Sequence, residues 1–498
     1  MSHEPIQHQE EYQESYRCFL RDFPGYTETR ELDRLHQQEY RRLDESGQVY
    51  LDYTGGGLYA ESQISDHLEL LRNEVFGNPH SHNPASQTTT KLVEQARRYV
   101  LSFFDADPDE YTVIFTPNAS GALRLVGEAY PFTKGGRFLL SYDNHNSVNG
   151  IREFARSRDA EVSYIPIEVP ELRTNETTVM SSLERRDETL PNLFAYPAQS
   201  NFTGVQHPLQ FISMAQERGW DVLLDAAAFV PTNSLDLRRW HPDYVCISFY
   251  KMFGYPTGIG ALIARKEALQ RLNRPWFAGG TIRLAAVREM RHHLAEDEAA
   301  FEDGTVNYLN IPAVETGLRY LQSVSLEVIH RRVRCLTGYL LQELFSLRHS
   351  NGKPQVRIYG PVSTTSRGGT IAFNLYDPGA NLIDYRRIEE LAAEQGISLR
   401  TGCFCNPGVN EMAENLTAEE ISEGFQSRDT SFVHFLDTIE HVAGKSAGAV
   451  RVSFGLASNF TDAYRLLRFL KQFRDSDSDV VGGVTFEIDS CRVIRDGS

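Results

Sequence analysis

Short apolar bursts recur along the first half of the chain: VIF at 113–115, FLLSY at 138–142, LFAYP at 193–197, DVLLD at 221–225, YVCISF at 244–249 and GIGALIA at 258–264. Each has the length of a buried strand. The stretches between them carry helical periodicity, so the pattern predicts an α/β fold on a mostly parallel sheet joined by crossover helices. From about 313 the texture changes to a long helical pattern, VETGLRYLQSVSLEVIHRRVRCLTGYLLQELF. Strand-like VRIYG at 356–360 and GTIAFNL at 369–375 follow, then a helix around 384–395 and a last one in DAYRLLRFLKQF. This predicts a large α/β domain over 31–312 and a smaller α+β domain over 313–475. A polar segment at 1–30 and a tail at 476–498 flank them. Within the tail, VTFEIDSCRVIRDGS alternates like a strand with no evident neighbour.

Five bursts end in polar or glycine-rich stretches: TPNASGA, DNHNSVNG, AQSNFTG, DAAAF and YKMFGYPTG. Ligands of open α/β sheets sit beyond the carboxyl ends of the strands, so these loops are expected to converge on one cleft.

Composition narrows what that cleft serves. Over 498 residues, 67 Asp+Glu against 50 Lys+Arg give a formal charge of −17, which disfavours nucleic acid and anionic membrane as the main partner. A small molecule or a protein fits better. No apolar run approaches the roughly 20 residues of a membrane helix. The opening MSHEPIQHQEEYQ has neither the basic nor the apolar region of a secretion signal, so a cytoplasmic location is expected. The 6 cysteines are too sparse for a disulfide scaffold and suit a reducing compartment.

The loops carry chemistry. Lys251 follows a strand and precedes glycines that permit close approach of a ligand, where it could form a Schiff base; taken alone, it reads as a solvated surface lysine. Asp225 ends the preceding strand, where a carboxylate needs a cationic partner such as a pyridinium nitrogen, or serves as a helix cap. An aspartate and a lysine ending successive strands match the needs of pyridoxal 5'-phosphate. Ser120 stands at a turn opening a helix, which favours a phosphate, although Ser-Gly before a helix is commonly just a cap. His145, at another strand end, suits stacking on a cofactor ring, although a lone histidine is more often a structural hydrogen-bonder, and Asn201 could hold the ring's 3'-oxygen.

The chain resembles the class V aminotransferase-like family of pyridoxal-phosphate enzymes (fold type I). Within it the likeness is to the cysteine desulfurases, and most to the amino-terminal desulfurase domain of molybdenum cofactor sulfurases. The blocks YLDYTGGGLYAESQI, FTPNASGALRLVGE, DNHNSVNGIRE, PAQSNFTGVQHPL, LLDAAAFVPTNSLDL, SFYKMFGYPTGIGALIAR, FEDGTVNYLNIPA, RTGCFCNPG and VRVSFG carry it, in family order. The resemblance implies a Schiff-base role for Lys251, a pyridinium partner in Asp225 and ring stacking by His145. It implies phosphate contacts from Ala119, Ser120 and Ser248, with Gly304 and Thr305 reaching the phosphate from a second subunit of a homodimer. Arg451, assisted by Arg400, would clamp the substrate carboxylate, and Cys405 would be the nucleophile that takes sulfur from L-cysteine, releasing L-alanine. Cys403 would be a bystander or relay. A metal is not expected, because no second Cys/His pair accompanies the CxC.

Departures from the pattern are Ala119 where many desulfurases carry Ser or Thr, Ala228 where they carry glutamine, and Val409–Asn410 where a third cysteine often follows. Sulfurases of this type usually continue into a carboxyl-terminal domain. The resemblance therefore implies that a separate molybdenum-cofactor-binding protein, or another acceptor protein, receives the sulfur. The other enzymatic reading is a lyase, decarboxylase or epimerase acting on another amino acid without Cys405. A retired scaffold would have lost the lysine, the aspartate or the arginine clamp, all of which are present.

Overall fold

The computed structural model describes residues 6–79, 81–187, 189–426, 445–482, 485–487 and 492–494. Seven strands form the main sheet: β1 (Tyr111–Thr116), β2 (Arg137–Ser141), β3 (Glu161–Ile165), β4 (Asn192–Pro197), β5 (Asp221–Asp225), β6 (Tyr244–Ser248) and β7 (Gly260–Arg265). Their spatial order is β1-β7-β6-β5-β4-β2-β3. The pairs from β6 through β3 are parallel, whereas β7 runs antiparallel to both β1 and β6. Every residue of β1, β4 and β6 is buried, as a sheet covered on both faces requires and as their unbroken apolar sequences predict. All six apolar bursts form strands of this one sheet.

Two short helices matter for the site. Helix α1 (Ala119–Ala129) follows β1, with the Asn118 side chain accepting from Gly121 N–H as its N-cap. Helix α2 (Phe249–Phe253) springs directly from β6 and ends at Gly254, φ 79°. A Cβ at Gly254 would stand 2.3 Å from Tyr59 N, so only glycine lets this helix end against the 52–59 loop.

The long helical pattern after 313 divides into α3 (Ile311–Val324) and α4 (Leu326–Ser346), because Ser325 takes φ 73° between them. Helix α3 packs against the helix over Pro84–Phe103, with the large sheet's layer. Helix α4 packs against α6 (Phe460–Lys471) and strand β8 (Val356–Tyr359) of a second sheet. That sheet adds β9 (Thr370–Leu375), β10 (Arg400–Gly402) and β11 (Ala449–Ser453) in the antiparallel order β8-β9-β11-β10. The predicted helix near 384–395 is present as α5 (Tyr385–Glu394).

The polar amino-terminal stretch is not a loose extension. It forms a helix over Ile6–Asp22 whose Phe19 is buried against Tyr26, Tyr339 and Phe460. In the tail, Thr485–Glu487 and Arg492–Ile494 pair antiparallel with each other, and the remaining residues of VTFEIDSCRVIRDGS lie outside the described ones.

Candidate active site

Sequence-distant loops meet where the large sheet's strands end. Asp225, the last residue of β5, is buried and accepts from Ala227 N–H at Oδ1, 3.0 Å. Lys251 on α2 is half-buried and borders a cleft with Thr54, Gln199 and Ala228. Burial pushes its amine below the ordinary lysine value, a shift opposed by Asp225 and Asp52 and reinforced by Arg451 and Arg400. His145 is held below the ordinary histidine value, first by burial and then by Lys251 and Arg451, against the pull of Asp225. Its Nδ1 accepts from Ser147 N–H at 3.1 Å, so the neutral ring carries its proton on Nε2.

The amino-terminal end of α1 joins the same cluster. Ala119 N–H donates to the buried Ser248 Oγ (2.9 Å), and Ser120 Oγ shares a hydrogen bond with Ser147 Oγ (2.6 Å). Three loops predicted to bind phosphate or ring are thus tied together through hydroxyl groups. Gly304 and Thr305 are not part of this cluster. They are exposed, and Thr305 lines a separate cavity with Pro117, Gly121 and Trp276.

The cysteine loop docks onto the cluster. Asn201 Nδ2 donates to the Phe404 carbonyl (2.8 Å), while its Oδ1 accepts from Asn406 Nδ2 (2.9 Å). Asn406 Nδ2 also donates to the Asp143 carbonyl (2.7 Å), and Asn146 N–H donates to the Cys405 carbonyl (2.7 Å). Phe404 and Cys405 both take φ 54°, a left-handed conformation unusual for two successive side-chain-bearing residues. This turn leaves Cys405 exposed beside the cluster and Cys403 half-buried, with burial raising the Cys403 thiol above its ordinary value.

Arg451 on β11 is buried beneath the loop, its guanidinium 4.6 Å from the centre of the Phe404 ring. It donates to the Asn201 carbonyl (3.0 Å) and to Asp52 Oδ1 (2.9 Å), leaving its Nε without a partner. Arg400 on β10 donates through Nε and Nη2 to the other Asp52 oxygen, at 2.9 and 2.7 Å. Both guanidiniums expected at a substrate carboxylate therefore grip a carboxylate of the chain itself.

The structure brings Lys251, Asp225, His145, Asn201, Ser120, Ala119, Ser248, Arg451, Arg400 and Cys405, the residues singled out from the sequence, into neighbouring loops and strand ends. Sequence reasoning missed Asp52, Asn406 and Asn146. Asp52 lies inside the quoted block YLDYTGGGLY, where an acid ahead of three glycines was the available signal.

A half-buried amine whose pKa burial lowers, a buried carboxylate at a strand end, a neutral imidazole and hydroxyls at a helix start fit pyridoxal 5'-phosphate. They define a fold type I site. The aminotransferase class-V family pattern matches residues 49–466, and the chain belongs to that family. Molybdenum cofactor sulfurase of Solanum lycopersicum is 36% identical over 488 residues, covering 91% of this chain and 59% of that protein. The Homo sapiens molybdenum cofactor sulfurase is 36% identical over 460 residues, covering 88% of this chain and 51% of that one. The chain thus spans between half and three-fifths of the length of these relatives. Among solved structures, the cysteine desulfurase of Thermococcus onnurineus NA1 aligns with TM-score 0.73 at 22% identity, covering 88% of this chain and 97% of that one. The Escherichia coli cysteine desulfurase CsdA aligns with TM-score 0.69 at 18% identity, covering 89% and 98%.

Among the described residues, no helix is long and apolar enough to cross a membrane, and no group of three or more His, Cys, Asp or Glu could hold a metal ion.

Proposed function

We propose that this chain is a pyridoxal-phosphate-dependent cysteine desulfurase of the molybdenum cofactor sulfurase type. It converts L-cysteine to L-alanine and leaves a persulfide on Cys405. The observation that carries this reading is the docking of the Cys405 loop, through Asn201, Asn406 and Asn146, beside Lys251, Asp225 and His145. The names of the sulfurase relatives support the same reaction.

Lys251 would hold the cofactor covalently, Asp225 its ring nitrogen, His145 a ring face, and Ser120, Ser248 and the Ala119 backbone its phosphate. When bound, the cofactor supplies an electron sink for the pair released at the substrate Cα. Asn201, whose amide here donates to the Phe404 carbonyl, would be the residue nearest in kind to hold the ring's 3'-oxygen. Arg451, with its unpaired Nε, receives the substrate α-carboxylate, and Arg400 supports it. Lys251, whose burial favours the neutral amine, takes and returns the proton at Cα. The Cys405 thiolate forms an S–S bond to the substrate sulfur as the Cβ–S bond breaks, so the sulfur stays on the enzyme and the carbon skeleton leaves as alanine.

Gly304 and Thr305 reach the phosphate of a second copy in a homodimer. The persulfide passes to an acceptor protein, such as one that binds the molybdenum cofactor. Alanine release from L-cysteine, with sulfane sulfur detected on Cys405, tests the reading. Stoichiometric alanine without reductant and turnover with it are expected. Bound cofactor with neither alanine nor persulfide would overturn it, and alanine production surviving in Cys405→Ala would favour chemistry that bypasses this thiol.

A further inference from the structure

Asp52 was assigned no role by its sequence, yet the fold builds a place for it. Ser453 N–H donates to the Leu51 carbonyl (2.7 Å), Thr54 N–H to Ser453 Oγ (2.8 Å), and Gly57 N–H to the Tyr250 carbonyl (2.9 Å). The 51–57 loop is therefore strung between the strand that carries Arg451 and the helix that carries Lys251. Gly55 leaves room for the carboxylate: a Cβ there would lie 2.4 Å from Asp52 Oδ2.

Each Asp52 oxygen serves a different arginine. Oδ1 takes Arg451, whose side chain is 4% exposed, and Oδ2 takes Arg400, whose side chain is 53% exposed. The Asp52 side chain is itself 11% exposed, too enclosed for water to screen it fully. Arg451 also donates to the carbonyl of Asn201, which holds the Cys405 loop, and Thr54 of the Asp52 loop lines the cleft with Lys251, so the trio stands at the edge of the space in which an amino acid would react. Two guanidiniums against one carboxylate give this trio one net positive charge.

We propose, resting on the amino-acid reading above, that Asp52 is a specificity-determining residue. It admits amino acids with one anionic group and turns away those whose side chain carries a second, a carboxylate or a sulfinate. The α-carboxylate uses the single net positive charge offered by the Arg451 side of the pair. A second anion meets Asp52 and finds Arg400 already neutralised. Cysteine, its thiol protonated at neutral pH, meets the condition, and cysteine sulfinate does not.

The test is equilibrium binding of L-alanine and L-cysteine sulfinate to the holoenzyme, read from the visible absorbance of the bound cofactor. Wild type, Asp52→Asn, Arg400→Gln and the double variant are compared. Asp52→Asn is expected to improve sulfinate binding relative to alanine by about tenfold, the scale of one unit charge a few ångströms away in a partly solvated pocket. Arg400→Gln is expected to move the ratio in the opposite direction, and the double variant to restore it, because it removes one charge of each sign. An unchanged ratio in Asp52→Asn, or no restoration in the double variant, overturns the proposal and leaves Asp52 a structural brace. Should Asp52→Asn fail to fold, the ratio in Arg400→Gln decides alone, since that side chain is half solvated. Wild type that binds alanine but makes none from cysteine removes the desulfurase reading without touching this one.

Discussion

The backbone N–H of Asn146 donates to the carbonyl of Cys405 at 2.7 Å, one residue beyond His145. The proposed sulfur acceptor is therefore fixed by its main chain to the strand end that carries His145, the residue proposed to stack on the cofactor ring, while Cys405 itself stays exposed. Asn406 completes the attachment, reaching the Asp143 carbonyl on one side and Asn201 Oδ1 on the other.

Asn406→Ala removes both side-chain hydrogen bonds and leaves two acceptors unpaired in a buried place. A net contribution of about 1 kcal/mol for each such bond predicts a drop of about tenfold or more in single-turnover persulfide formation. Bound cofactor absorbance is expected to stay as in wild type, because Asn406 is not among the residues assigned to hold the cofactor. Equal loss of cofactor and of sulfur transfer would show that the loop supports the whole cleft rather than the thiol.

The two cysteines of the loop are expected to separate cleanly. Cys403 is half-buried with its thiol pushed up by desolvation, which suppresses the thiolate, whereas Cys405 is exposed beside the Arg451 charge. Cys403→Ser is expected to retain most alanine production and Cys405→Ser to abolish persulfide, as read by mass spectrometry of the intact chain after one turnover. Persulfide found on Cys403 in wild type would reverse the assignment.

Gly55→Ala places a methyl group 2.4 Å from Asp52 Oδ2 and must displace the carboxylate from its two arginines. Breaking a buried charge pair from one side costs about 3–5 kcal/mol, and relaxation of the half-exposed Arg400 reduces that. A fall in stability of about 2–4 kcal/mol is expected from denaturant unfolding of the apoprotein. A loss under about 0.5 kcal/mol would mean that the Asp52 bridge adds little.

Six strands of the large sheet were legible because they are buried almost throughout and so read as apolar runs, most of them ending in a loop of polar residues, whereas the edge strand β3, EVSYI, is largely half-buried and gave no such run. The antiparallel sense of β7 was not, since a run such as GALIAR looks the same in either direction. The break at Ser325 was hidden by apolar spacing that continues across it, and the packing of Phe19 by the polar residues around it. Lys251, Asp225 and His145 were found because their chemistry sits at strand ends. Asp52 and Asn406 act through partners 399 and 205 residues away in the chain, a relationship no local pattern records.

His145 supplies a pH test. Burial holds the folded imidazole below its ordinary value of 6.5, so just below that value the unfolded chain binds a proton that the folded chain refuses. With more protons bound in the unfolded state, stability rises with pH through this interval and levels off above it. His145→Gln keeps a polar side chain and removes the titration. Thermal midpoints of apo wild type and His145→Gln, compared between about pH 5 and 7.5, are expected to diverge as the pH falls, wild type losing stability faster. A constant difference across the range would mean that the ring titrates alike in both states, and the neutral imidazole assigned to the cofactor face would have to be given up.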